Sequence, residues 1–501
     1  MFRPTFTPQA QRRSTANLSI MQGNRVILWF RQDLRLHDNE ALQDAMRHGK
    51  EIIPVYVFDE RLFLGKTSRF GFPKTGKFRA QFIIDSIYDL RQSLRKLGSD
   101  LFVRVGKTED VLFEMAREYK TSWVFCNRER THDEEEIQDA LEQKLWSIGQ
   151  EIRYSRGKML YYTADLPFPV THTPDTFASF RKEVERFIQV RQPLPAPTEK
   201  FPYLTVRVEA GNIPIVQDFG HDHGTQDERS AIQHKGGETE GLRRLHSYFH
   251  ETKAVSHYKK THDDLLGSDY SSKFSAWLAQ GCLSPKMVYH ELKRFENQHK
   301  NKKNKSTYLL FYELLWRDYL RLLGKKHGDK IFNRGGIRDE PIISLKEDWQ
   351  LFQVWLDGRT GVPFIDANMH EIAETGYMSN RGRQNVASFL IKDLQVNWQM
   401  GAEYFESILI DYDITSNWGN WNAMAGVSTD SREDRYYNIL AQSRRYDPQG
   451  EYIKLWLPEL AQVPCDKVHR PDTLTDTEQE ALHIRLGADY PKSMVNMKKW
   501  A

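Results

Sequence analysis

What most limits the fold of this chain is the way short apolar runs alternate with amphipathic stretches over its first 155 residues. The segments 25–30, 39–48, 51–58, 77–97, 100–105, 121–126 and 151–154 succeed one another in that manner. Runs such as Val26, Ile27, Leu28 and Trp29 are apolar throughout, as strands covered by helices on both faces must be. The pattern predicts βαβ units and a Rossmann-like parallel α/β layer. Within 77–97, Ile83, Ile87, Leu90, Leu94 and Leu97 fall on one helical stripe that ends at Gly98, a C-terminal stop. No GxGxxG fingerprint follows the first strand, so the usual dinucleotide-dehydrogenase phosphate loop is missing.

Beyond residue 160 the texture changes. Eight prolines between Pro167 and Pro214 sit too close together for long elements and predict a connector over 161–237. After Glu238 long amphipathic stretches dominate, which predicts a mainly helical domain over 238–464 and a short tail over 465–501. The expected architecture is α/β plus all-α, with domains at 25–160 and 238–464; 501 residues are more than one hydrophobic core usually supports.

Composition excludes several classes. A formal charge of +3 is too small for a general polyanion-binding coat, so any nucleic-acid contact must be a local patch. No apolar run approaches the roughly 18 residues of a membrane span, so no membrane contact is expected. Cys126, Cys282 and Cys465 are too few and too far apart for a disulfide framework or a zinc site, which fits a reducing compartment and no metal. Segment 1–24 carries Arg3, Arg12 and Arg13 with several hydroxyl residues and no acid, the composition of an organelle transit peptide or of a disordered tail; a mitochondrial address is one expectation, cytoplasm or nucleus the other.

Four stretches carry candidate chemistry. Asp33, Arg35, His37, Asp38 and Asn39 follow the first strand, where polar side chains either bind ligands or cap the next helix. Ser271, Ser272 and Ser275, with Lys273 and Phe274 among them, precede an apolar helical stretch, an arrangement suited to phosphate or to plain serine capping. Glu313, Trp316 and Arg317 lie within one helical turn, either as a surface ion pair beside a core ring or as a carboxylate and a ring lining one cavity. The stretch 380–422 sets Asn380, Arg381, Arg383, Asp393, Asp411, Asp413 and Asn417 between apolar segments. Polar groups in such surroundings are costly to bury unless paired or bound to a polar ligand.

These motifs resemble DNA photolyases and cryptochromes, most closely the DASH group. The carriers, in order, are WFRQDLRLHDN, ELLWRDY, TGVPFIDANMHEIAETGYMSNRGRQNVASFLIKDL, GAEYFESILIDYDITSNWGNW and YDPQGEYIKLWLPEL, spanning Arg25 to Pro464. The resemblance implies FAD folded inside the helical domain. It also implies an antenna between the domains, often the folate 5,10-methenyltetrahydrofolate, and damaged DNA as the partner of a monomeric enzyme. By the same resemblance Tyr258 and Ser271–Ser275 hold the cofactor phosphates. Arg383 and Asp393 form an ion pair beside the flavin ring, Asp411 and Asp413 bind the ring edge and the adenosine part, and Asn417 faces flavin N5. Glu129 matches a folate-binding carboxylate.

The implied reaction is electron donation from photoexcited reduced flavin to a cyclobutane pyrimidine dimer flipped out of the stack. Glu313 hydrogen-bonds the dimer, Trp316 packs on it, Asn380 lines the cavity and Arg381 holds a phosphate. Trp421 and Trp398 match the inner members of a tryptophan chain that reduces the flavin. Some positions depart from the pattern. Leu345 replaces the outer tryptophan, leaving Trp349 as the nearest substitute. Ala423 replaces a lesion-gripping ring, and Tyr377 replaces a tryptophan or phenylalanine. Ser379 and Asn380 stand in place of the histidine pair of (6-4) enzymes. Glu313 and Trp316 favour dimer repair, and the resemblance to the DASH group implies single strands ahead of duplexes. The alternative is a blue-light photoreceptor that signals through partners.

Overall fold

The computed structural model describes residues 25–299, 304–340, 342, 344–430 and 436–500; segment 1–24, expected as a transit peptide or a tail, lies outside them. Strands β1 (Arg25–Phe30), β2 (Glu51–Asp59), β3 (Phe102–Gly106), β4 (Trp123–Asn127) and β5 (Glu151–Ser155) form one parallel sheet ordered β3-β2-β1-β4-β5. Side chains alternate faces along a strand. Val26, Leu28 and Phe30 therefore enter one core with α1 (Glu40–His48) and α2 (Lys77–Lys96). Ile27 and Trp29 enter another with α3 (Thr108–Glu118) and α4 (His132–Trp146). All nine residues of β2 are buried, as strands covered on both faces require. The strand order reverses between β1 and β4, so a ligand crevice is expected at their carboxyl ends.

The polar turn after β1 is a rivet between the domains. Arg35 donates to the carbonyls of His37, Asp38, Gly157 and Gly281, and Asp38 pairs with Lys286 at 2.8 Å. His37 contacts Glu238, and Asn39 caps α1 by accepting from the Leu42 N–H at 3.1 Å. Asn39 thus carries out the capping expected of this motif, whereas Arg35, His37 and Asp38 bind other parts of the chain.

The helices that shape the site are α5 (Phe177–Phe187), α6 (Glu238–His246), α7 (Ser275–Ala279), α8 (Lys305–His327), α9 (Asn380–Ser388), α10 (Trp398–Ile408) and α11 (Ile414–Ala425). The proline-rich connector is itself packed: Phe177, Phe180 and Val184 of α5 are buried, and the Asp175 carbonyl accepts from Tyr319 Oη and Thr429 Oγ1, both at 2.6 Å. The C-terminal stretch is fastened as well. Tyr490, Met497 and Trp500 are buried, and the Tyr490 hydroxyl donates to Asp366 at 2.6 Å.

Candidate functional site

A hollow opens in the helical domain between α8, α9, the start of α11 and the loop 258–275. On its floor Arg383 Nη2 donates to both carboxylate oxygens of Asp411, at 2.8 and 3.0 Å. The ion pair expected between Arg383 and Asp393 does not form. Asp393 sits at the far end of the turn that continues α9 and pairs with Lys499 at 2.6 Å, because the C-terminal stretch folds back over it. Asp413 caps α11 by accepting from the Ser416 N–H at 2.9 Å and from Arg321 at 2.6 Å. Burial alone would raise its pKa, but Arg321 and Arg317 outweigh burial and hold Asp413 well below the usual carboxylate range. Asn417 Nδ2 donates to the Ala402 carbonyl at 3.0 Å, which fixes the amide where it lines the hollow.

The serine loop forms the opposite wall. Tyr258, Ser271, Ser272, Phe274 and Ser275 all line it. Lys273 is buried at φ +59°, its ammonium 3.2 Å from the centre of the Tyr270 ring and without a hydrogen-bond partner. Helix α7 has only five residues, so the loop backbone rather than a long helix dipole faces the space.

Glu313 and Trp316 stand one turn apart on α8, at the mouth of the same hollow. The Trp316 ring packs against Phe177 at 4.7 Å, and its Nε1 donates to Asn420 Oδ1 at 3.4 Å. Arg317 does not pair with Glu313; it donates to the carbonyls of Lys158 and Leu278. Among the described residues none hydrogen-bonds Glu313. Water reaches its carboxylate, yet protein surrounds the mouth, and this desolvation raises its pKa to about 7. Asn380 is exposed to the hollow. Arg381 is engaged, pairing with Asp263 at 2.7 Å and lying over the Tyr446 ring.

Ring contacts lead away from the hollow. Trp421 lies 5.2 Å from Phe405, Phe405 lies 6.4 Å from Trp355, and Phe352 links Trp355 at 5.5 Å to Trp349 at 5.8 Å, centroid to centroid. Trp349 is 47% exposed. Gly401 makes room at the inner end, because a Cβ there would lie 2.3 Å from the Trp421 ring. Trp398 is buried beside Trp418 at 5.8 Å, and among the described residues its ring does not stack on Trp349. These ring contacts run from Trp421 through Phe405, Trp355 and Phe352 to Trp349 and bypass Trp398, whose ring contact is with Trp418.

A second cavity opens at the β1–β4 switch point, between the domains. Glu129 is buried there against Lys158, whose Nζ also donates to Gln32 at 3.0 Å. Arg128, Arg130, Arg156 and Lys325 line its rim. Burial, then Arg130, Arg156 and Arg128, push Lys325 down to about 8.

Two family models cover most of the chain: "DNA photolyase" over residues 26–198 and "FAD binding domain of DNA photolyase" over residues 310–501. A cryptochrome DASH of Gloeobacter violaceus is 48% identical over 95% of this chain and 94% of its own length. One of Xenopus laevis is 43% identical over 95% of this chain and 90% of its own. This chain is a member of the photolyase/cryptochrome family. A solved cryptochrome from Synechocystis superposes with a TM-score of 0.90 at 44% identity, covering 95% of this chain and 97% of that one. An archaeal photolyase from Sulfolobus tokodaii, described with two FAD molecules, gives 0.76 at 27% identity over 95% and 97%.

FAD is thus the cofactor of the helical domain, and the residues fit it. The unpartnered ammonium of Lys273 and the serine hydroxyls suit a diphosphate, and the Arg383–Asp411 pair offers a planar polar edge to a flavin ring. Sequence reading missed Arg321, which holds Asp413, although Glu313, Arg317, Arg321 and Lys325 recur at four-residue spacing along one face of α8. It also missed Arg244, for which no local pattern gives a signal.

Proposed function

We propose that this protein is a blue-light-driven enzyme that splits cyclobutane pyrimidine dimers in DNA, single strands by preference, as a monomer. The observation that carries this reading is the unpaired carboxylate of Glu313, which shares one hollow with the partly exposed Trp316 ring and the Arg383–Asp411 pair. A light sensor acting only through partner proteins has no need of such a carboxylate.

With a pKa of about 7, Glu313 is neutral in a large fraction of molecules near pH 7 and then donates a hydrogen bond to a pyrimidine carbonyl. Trp316 packs on the flipped dimer, while Asn380 and Asn420 offer amides to its polar edge. Arg381 takes a DNA phosphate on releasing Asp263. FAD, when bound and reduced, would lend the electron that opens the dimer under blue light and regain it as the two pyrimidines separate. Asn417 holds its amide toward the ring system, and Trp421 begins the path that resupplies electrons.

We infer a folate in the interdomain cavity. Glu129 is a floor carboxylate suited to the amino edge of a pterin ring, and the cationic rim suits the carboxylates of a glutamyl tail. A cryptochrome DASH of Solanum lycopersicum, 43% identical over 92% of this chain, is named as chloroplastic/mitochondrial, and the arginine-bearing composition of segment 1–24 supports an organelle address here too. Substituting Glu313→Ala or Trp316→Ala should lower repair per absorbed photon while FAD stays bound; repair at the parent level in both variants would remove these residues from the mechanism.

A further inference from the structure

We propose that Arg244 is the positioning residue of the FAD diphosphate cradle, acting from behind the loop 268–273. This rests on the FAD cofactor alone and is independent of what the enzyme repairs. Arg244 comes from α6 and is 7% exposed. Its Nε donates to the Ser272 carbonyl at 3.0 Å, Nη2 to those of Ser268 and Ser271 at 2.9 and 3.1 Å, and Nη1 to Asp269 at 2.7 Å. One planar guanidinium thereby gathers three carbonyls and a carboxylate of a loop that has no helix or strand of its own. The Thr261 hydroxyl adds a further bond, to the Tyr270 carbonyl at 2.8 Å.

The peptide bond is planar and trans, so a carbonyl turned toward Arg244 turns the next residue's N–H the other way. The carbonyls of Ser271 and Ser272 are held in this manner, which directs the N–H groups of Ser272 and Lys273 away from α6. The hollow lies on that side, since Ser271, Ser272 and Lys273 all line it. No described residue accepts a hydrogen bond from the N–H of Ser271, Ser272 or Lys273. Lys273 lies in the left-handed region, and a left-handed residue in such a turn gathers successive N–H groups into an anion-binding concavity. Its buried Nζ, without a hydrogen-bond partner, lies on the same wall.

Lysine at position 244 would keep the charge and lose the fork. The test compares dark release of FAD from the parent, Arg244→Lys, Arg244→Ala and Asp269→Asn, followed by recovery of flavin fluorescence. Riboflavin, which lacks the diphosphate, is titrated into each apoprotein. Release should accelerate about tenfold or more in both Arg244 variants and by a smaller factor in Asp269→Asn, given what a hydrogen bond to a charged group contributes. Riboflavin affinity should stay the same in all four. Parent-like release from Arg244→Lys would overturn the proposal, as would an equal loss of FAD and riboflavin, which would assign Arg244 to packing. If Arg244→Ala does not fold, Arg244→Lys and Asp269→Asn decide, and unchanged release from both contradicts the proposal.

Discussion

Arg383 Nη2 reaches both carboxylate oxygens of Asp411, at 2.8 and 3.0 Å, and ties α9 to the turn before α11 across the floor of the flavin hollow. Asp411 is buried, so removing Arg383 leaves a carboxylate without its cation. Arg383→Ala should lower apoprotein stability by about 3 kcal/mol in denaturant titration, and purified protein should lose most of its FAD. Asp393→Ala, which breaks the contacts to Lys499 and Tyr436 and none on the hollow floor, should retain FAD.

Glu313 supplies a pH test. Its folded pKa of about 7 lies above the ordinary carboxyl value of 4.5, so the native state binds the proton more tightly than the unfolded chain does. Its destabilising effect is absent below about 4.5 and complete above about 7. Affinity for dimer-containing single strands should therefore fall as pH rises through about 7. Glu313→Gln, always neutral and still a donor, should flatten that profile and be relatively more stable at pH 8 than at pH 5.

The ring series makes a kinetic prediction. Trp421→Phe should slow light-driven flavin reduction at least tenfold, because the innermost donor is removed. Gly401→Ala should slow it too by displacing the same ring. Trp355→Phe and Trp398→Phe, compared by transient absorption, report which ring follows Trp421; the contact series through Phe405 predicts a measurable loss in Trp355→Phe.

At the lesion mouth Ala423 faces the space beside Trp316 and Asn420. Restoring a ring with Ala423→Tyr should tighten binding of dimer-containing single strands by about 1 kcal/mol or more, the scale of one base–aromatic stack, with FAD content unchanged. Fluorescence anisotropy with a labelled oligonucleotide measures it.

For the interdomain cavity, Glu129→Gln should abolish co-purification of a folate while FAD content stays at the parent level. The flavin band in the absorption spectrum provides the internal control.

How much of this was legible in the sequence follows from the range of each signal. The parallel sheet was readable because β1 and β2 are apolar residue after residue, and only burial on both faces calls for that. The pairing on the hollow floor was not, because Asp393 and Asp411 both lie downstream of Arg383, and only tertiary folding chooses Asp411. The residue that displaces the expected pairing, Lys499, belongs to a stretch that reads as a tail. Asn39 showed its capping chemistry locally, whereas Arg35 gave no hint that it would reach the Gly281 carbonyl 246 positions away. Arg321 could have been found from the four-residue spacing on α8, but Arg244 binds a loop more than twenty residues distant that has no periodicity to betray it.

The most direct test of the central claim is a repair assay with purified, reduced protein under blue light, on single-stranded and duplex oligonucleotides carrying one cyclobutane dimer. The proposed reading predicts light-dependent restoration of the intact pyrimidines, faster on the single strand, where extruding the lesion costs least. Absence of repair on both substrates, with FAD bound and reduced, would contradict it and leave blue-light signalling as the function.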